Sequence, residues 1–290
     1  MLFPLNLRKG KMARLLMVAA VMALAGFAQA ATRPVPDRNL LERMRSGVDV
    51  IGIVHFGLNT FTDREWGYGS ESPDDFNPTN FSADQIVEAC RDGGIKGLVV
   101  VAKHHDGFCL WPTKTTEHNV SKSKWMDGKG DYVGAMERAC RKFGVKFGVY
   151  CSPWDRNNAE YAKPAYVKTY HAQVEELNDG RYGEIFEMWF DGANGGDGYY
   201  GGAWEKRSIG WKYYRMPELW ARVRELQPKV CFFGGEKGFT WPGNERGEVP
   251  PESGGTRGDG ILASTRRTSR CAQDGSTTRA RTAIRVPASS

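Results

Sequence analysis

Asp191 and Glu245 are the two carboxylates in this 290-residue chain that stand where chemistry is usually done, and imidazoles and indoles gather in the same kind of position. His55, Glu65, Trp66, His104, His105, Trp154 and Trp241 all lie in turns or loops that follow apolar runs. Two acids among histidines and aromatic rings suggest glycoside hydrolysis, in which one carboxylate attacks and the other protonates the leaving oxygen. A retaining enzyme of this type needs its carboxyl groups about 5 Å apart and the acid's pKa raised. Asp191 ends a rigid apolar run and is suited to attack; Glu245 sits in a Gly-Asn-Glu loop and is suited to proton transfer. The competing account of Asp191 is a turn opener or helix cap, since Asp before Gly often serves that way. Neighbouring histidines do not readily share one ion, and neither HxH, HExxH nor CxxC is present, so no metal is expected.

These residues need elements to position them. Val50–Phe56, Leu98–Val101, Val145–Tyr150, Ile185–Phe190 and Val230–Phe233 are short apolar runs stopped by polar residues or glycine, the pattern of strands buried on both faces. Helical patterns alternate with them. Ser82 opens one helix with Ile86, Val87 and Cys90 inward, and Asp131 opens another with Val133, Met136, Cys140 and Phe143 on one stripe. Pro164 starts a third, burying Tyr166, Val167, Tyr170, Val174 and Leu177, and Pro217 a fourth with Leu219, Trp220, Val223 and Leu226 inward. Such alternation implies a parallel α/β sheet, either open and doubly wound or closed. An open sheet collects function at one switch point, whereas a barrel draws it from many strand ends, so a TIM-like (β/α) barrel is expected. Neither GxGxxG nor a P-loop follows the first strand, which argues against nucleotide binding, and no cofactor is expected. The segment from Trp66 to Asn80 predicts a long functional loop, and His118 and His171 are expected on the surface or on a helix face.

Composition sets the outer bounds. Arg8, Lys9, Lys11 and Arg14 precede the apolar run 15–28, and Ala28-Gln29-Ala30 offers a cleavage site, so residues 1–30 predict a secretory signal. Export to a periplasm or medium follows, without stable membrane insertion after cleavage. Residues 31–250 then form the catalytic domain. Residues 251–290 contain no Phe, Trp, Tyr or Lys and show no apolar period, which predicts a disordered or aberrant tail and a barrel incomplete at its C-terminus. The net charge of +6 is concentrated in that tail and in the leader rather than on a folded face, so no nucleic acid partner is expected. The six cysteines are scattered singly and predict buried thiols.

The strings His55-Phe-Gly-Leu-Asn-Thr-Phe61, Glu65-Trp-Gly-Tyr-Gly69, Lys103-His-His-Asp-Gly-Phe-Cys-Leu-Trp-Pro112, Tyr150-Cys-Ser-Pro-Trp154, Trp189-Phe-Asp-Gly-Ala193 and Trp241-Pro-Gly-Asn-Glu245 resemble the α-L-fucosidases of glycoside hydrolase family 29. The resemblance runs from about Val50 to Gly247 and implies an exo-acting, retaining hydrolase of fucosylated oligosaccharides or glycoconjugates. It implies that Asp191 is the nucleophile and that His55, Glu65, Trp66, His104 and His105 line the fucose pocket. The Gly-Asn-Glu string resembles the branch acting on α-1,3 or α-1,4-linked fucose and makes Glu245 the candidate acid/base, with Glu236 as runner-up. Family members continue into further strands and a β-sandwich that nothing after Pro251 resembles. The alternative is therefore a truncated, inactive protein that at most binds glycans.

Overall fold

A computed structural model describes residues 38–191, 195–210 and 212–234. The leader 1–30, the tail 251–290, Glu236, Trp241, Glu245 and Cys271 lie outside the described residues. The elements run α1 (Arg38–Arg45), β1 (Ile51–Val54), α2 (Leu58–Phe61), α3 (Ala83–Asp92), β2 (Gly97–Lys103), α4 (Tyr132–Phe143) and β3 (Lys146–Cys151). They continue with α5 (Pro164–Asn178), β4 (Glu187–Phe190), β5 (Gly195–Gly198), β6 (Glu205–Ser208), α6 (Met216–Leu226) and β7 (Cys231–Phe233).

β1, β2, β3, β4 and β7 form one sheet in that order, every neighbouring pair parallel. Strand alternation divides its side chains. Leu98, Val100, Val149, Met188, Phe190 and Phe232 pack with Val87, Met136, Cys140, Tyr170, Val174, Leu219 and Val223 from α3 to α6. The opposite face holds Val99, Val101, Tyr150, Trp189, Cys231 and Phe233, joined by Phe186 and by Leu40 of α1. Gly97 and Gly148 leave room there for the Phe186 ring, since a Cβ on either would stand 2.7 or 2.9 Å from it. This face also contains a charge that the apolar pattern did not announce: Glu187, fully buried, accepts from Arg43 and from the Trp189 indole.

The helix starts follow the sequence closely. The Ser82 hydroxyl accepts from Gln85 N at 3.3 Å and the Asp131 carboxylate from Gly134 N at 2.8 Å, satisfying first-turn donors that have no partner within the helix. Among the described residues Cys90, Cys109, Cys140, Cys151 and Cys231 are buried, as expected. The loop between β1 and α3 is more ordered than expected. It contains α2 and a 3-10 turn at Pro73–Asp75 capped by Ser72, and it buries Phe76 completely.

β2 pairs Val101 with Tyr150 but Lys103 with Cys151, two residues advancing against one. The irregularity swings Lys103 out of the strict alternation and toward α5, where its Nζ donates to Tyr166 Oη at 3.0 Å and Gln173 Oε1 at 2.8 Å. It falls directly before His104.

His118 corrects an expectation, for it is buried beneath Phe108 with 6% exposure. Its segment is pinned inward because Cys109 N donates to His118 O and Val120 N to Cys109 O. Burial pushes the imidazole down to about 4, with Asp155 and Glu71 pulling the other way. A histidine with a depressed folded pKa is neutral in the folded protein while the unfolded chain takes up protons, so stability falls as pH drops from 6.5 toward about 4. Within that window His118→Phe is expected to reduce the slope of unfolding free energy against pH by about 1.4 kcal/mol per unit. Urea unfolding across a pH series checks it, and parallel curves for the two proteins would contradict it.

Candidate active site

The polar residues gather beyond the carboxyl ends of β1 to β4, the end at which parallel α/β sheets carry their ligands. His55 follows β1, His104 and His105 follow β2, Ser152 and Trp154 follow β3, and Asp191 follows β4. The rings of His55 and His104 lie 4.3 Å apart, those of His104 and His105 4.1 Å apart, and Trp154 stands 5.1 Å from His105. Trp66 packs edge to face on both His105 and Trp154, at 5.8 and 5.9 Å, while remaining 49% exposed. Asn59 ties the β1 end to its loop, with Nδ2 3.0 Å from His55 Nε2 and 2.9 Å from the Glu65 carbonyl. Glu65 itself is exposed at the rim.

Asp191 is the carboxylate at the centre. Its side chain is 31% exposed, and Oδ2 accepts a hydrogen bond from Tyr150 Oη at 2.7 Å. Burial, together with repulsion from the Asp191 charge, holds the Tyr150 phenol well above its usual range, so it stays a donor. His105 Nε2 lies 3.9 Å from Asp191 Oδ2, beyond hydrogen-bonding reach. Burial lowers His105 to about 4 despite that carboxylate, and burial next to His105 and His55 lowers His104 well below its normal value. Both are neutral at pH 7, so the pair forms a wall of neutral imidazoles rather than an ion pair with Asp191. Ser152 Oγ meets His105 Nδ1 at 2.7 Å and donates to the Trp154 carbonyl at 3.0 Å, fixing the ring's orientation.

Behind this wall lies a charged underlayer. Lys103 Nζ reaches Asp155 Oδ2 at 3.5 Å, both side chains buried, while Asp155 Oδ1 accepts from Asn157 N and Asn158 N at 3.1 and 2.9 Å. Asp106, 2% exposed, is pushed up to about 8, chiefly by burial, and accepts from Phe108 N at 2.8 Å. Arg156 clamps two loops over the site, donating to the Gly67 carbonyl from one guanidinium nitrogen and to the Asp197 carbonyl at 2.6 Å from another. Gly69 adopts φ +85° and passes so close to Arg156 that a Cβ would lie 2.3 Å from its carbonyl carbon.

Of the residues singled out from sequence, His55, Trp66, His104, His105, Trp154 and Asp191 come together, with Glu65 beside them. Trp154 is also a structural member: it is buried, and its Nε1 donates to Tyr200 Oη at 2.9 Å. Sequence reasoning missed Tyr150, Ser152, Asp155 and Arg156. Alternation along β3 could have found Tyr150, since it falls on the same face as Trp189 of the next strand, its register partner. The other three lie in an irregular turn with no period to reveal them.

A parallel α/β sheet with a carboxylate, neutral imidazoles and indoles at the carboxyl ends of its strands has the layout of an α/β domain that carries its ligand site at that end. The chain belongs to the α-L-fucosidase family, whose model matches residues 41–227. It is 42% identical over 196 residues to "Alpha-L-fucosidase 1" of Arabidopsis thaliana, covering 67% of this chain and 36% of that protein. It is 38% identical over 216 residues to "Putative alpha-L-fucosidase 1" of Oryza sativa, covering 74% and 39%. The chain thus spans under two fifths of the length of these relatives. Among solved structures, a glycoside hydrolase 29 family member from an unknown rumen bacterium is 42% identical with TM-score 0.75, covering 81% of this chain and 46% of that one. A Ruminococcus gnavus family 29 fucosidase, an Asp-to-Ala mutant in complex with fucose, is 26% identical with TM-score 0.59, covering 81% and 54%.

Proposed function

We propose that the chain is the catalytic part of an exo-acting, retaining α-L-fucosidase whose substrates are fucosylated oligosaccharides or glycoconjugates. The observation that supports it most is Asp191, gripped by Tyr150 and 3.9 Å from His105, on which Trp66 and Trp154 pack, in a chain of the α-L-fucosidase family. In the first step an Asp191 oxygen attacks the anomeric carbon while the aglycone oxygen takes a proton from the acid. In the second, water deprotonated by the same residue attacks that carbon, releasing fucose and regenerating the carboxylate. Tyr150 holds Oδ2 and so fixes the plane of the attacking group. The imidazoles of His55, His104 and His105, with Glu65, offer hydrogen-bonding partners to the sugar hydroxyls, and Trp66 and Trp154 offer ring faces to its C–H groups. Glu245 is assigned the acid/base role, with Glu236 as the alternative, on the sequence motif alone.

The same proposal includes a (β/α) barrel over residues 31–250. Supporting it is a five-stranded parallel sheet with α3 to α6 against one face and apolar side chains on the other. It also includes export through residues 1–30 and preference for α-1,3 or α-1,4-linked fucose. Among the described residues no helix is long and apolar enough to cross a membrane. The expected result with a panel of aryl glycosides is turnover of the α-L-fucoside alone by the full chain. Faster hydrolysis of another glycoside would contradict the assignment.

A further inference from the structure

Beyond the fucose pocket an aromatic surface is exposed without any part in the steps above. Trp204 is 58% and Tyr68 42% exposed. Trp204 sits between the rings of Tyr68 and Tyr199, at 6.0 and 5.5 Å and steep angles, which brace the indole at its flanks. Its backbone is left-handed at φ 46°, a conformation that bulky L-residues rarely adopt, so this position both exposes a large apolar ring and strains its backbone.

The two loops that carry these rings are stitched together. Tyr199 N donates to the Tyr68 carbonyl at 3.1 Å, and Arg156 links Gly67 to Asp197. The guanidinium of Arg64 lies 4.2 Å above the Tyr68 ring and that of Arg156 5.2 Å from it. The surface is continuous with the pocket, because Tyr68 follows Trp66 by two residues and Arg156 also lies 5.2 Å from the Trp154 ring. An exposed, braced indole beside a sugar pocket is suited to stacking on the C–H face of another pyranose.

We propose that Trp204, held by Tyr68 and Tyr199 on the β5–β6 hairpin, is the stacking ring for the sugar on the leaving-group side of the scissile bond. The proposal rests on the fucosidase assignment for its choice of ligand and deepens it by giving the aglycone a site.

The test uses the full chain carrying Asp191→Asn to prevent turnover, with L-fucose, N-acetyllactosamine and the α-1,3-fucosylated trisaccharide as ligands in calorimetry. Adding Trp204→Ala is expected to weaken the trisaccharide roughly tenfold while leaving L-fucose within about twofold, and Trp204→Phe should recover part of the loss. Equal weakening of L-fucose, or an unchanged trisaccharide affinity, would overturn the platform. A concentration-dependent dimer in sedimentation that Trp204→Ala abolishes would overturn it too, by giving the ring to a second copy of the chain. Failure of L-fucose to bind would remove the fucosidase assignment instead. Saturation-transfer NMR with N-acetyllactosamine would then still decide the platform, a Trp204-dependent signal supporting it and none overturning it.

Discussion

Asp191→Ala is expected to lower kcat/KM for an aryl α-L-fucoside by about 10⁴-fold or more, the scale on which removal of a covalent nucleophile acts. The loss should be chemical rather than structural. The side chain is 31% exposed, so its removal opens no sealed core cavity and the melting temperature should move little. Added azide provides the sharper signature. With the carboxylate gone, azide can enter from the vacated face and displace an aryl group that needs little protonation, forming a β-fucosyl azide. Chromatography of the products would show it. Retention of most of the activity in the alanine variant would remove Asp191 from the reaction.

The largest effect on stability is expected beneath the site. In Asp155→Ala, Lys103 keeps its burial and loses its carboxylate. Burial works against the Lys103 charge, but Asp155 together with Cys151 and Cys109 outweighs it and raises the pKa, so the ammonium is charged in the folded protein. Removing one partner of a buried pair costs about 3–5 kcal/mol because the other charge is left uncompensated. Asp155 also accepts from two backbone donors, and those are orphaned by the same change. Urea unfolding should therefore show a loss at the upper end of that range. Lys103→Met in the Asp155→Ala background is expected to recover most of it, since an apolar side chain has no charge to desolvate and can lie between Tyr166 and Tyr170. If the double variant were no more stable than Asp155→Ala, the cost would lie in the turn and not in the ion pair.

What the sequence revealed and what it hid follow from how far each interaction reaches along the chain. Strand ends were legible because apolar runs stopped by polar residues are local. Helix starts were legible because Ser82 and Asp131 cap donors three residues away. The six predicted residues that converge do so because parallel strands bring their ends together, so strand order needed no distance information. Arg43 and Glu187 are separated by 144 residues, and nothing near either announces the other. Lys103 follows a clean apolar run and would point into the sheet's inner face if alternation held, yet a single register irregularity turns it outward. The β5–β6 hairpin was invisible because Gly195–Gly198 has neither alternation nor β-branched residues, and its pairing with Glu205–Ser208 is made by backbone alone. His118 was placed on the surface because an isolated histidine between polar residues has no burial signal, and its position is set by backbone pairing to Cys109.

One measurement addresses the central claim directly: mass spectrometry of peptides from the full chain after reaction with a 2-deoxy-2-fluoro fucosyl fluoride. A fluorofucosyl ester on Asp191 is the predicted result, with the mass added once per chain and lost on incubation with an acceptor. The same mass on a different carboxylate, or complete hydrolysis of the reagent to the inverted sugar with no adduct, would contradict it.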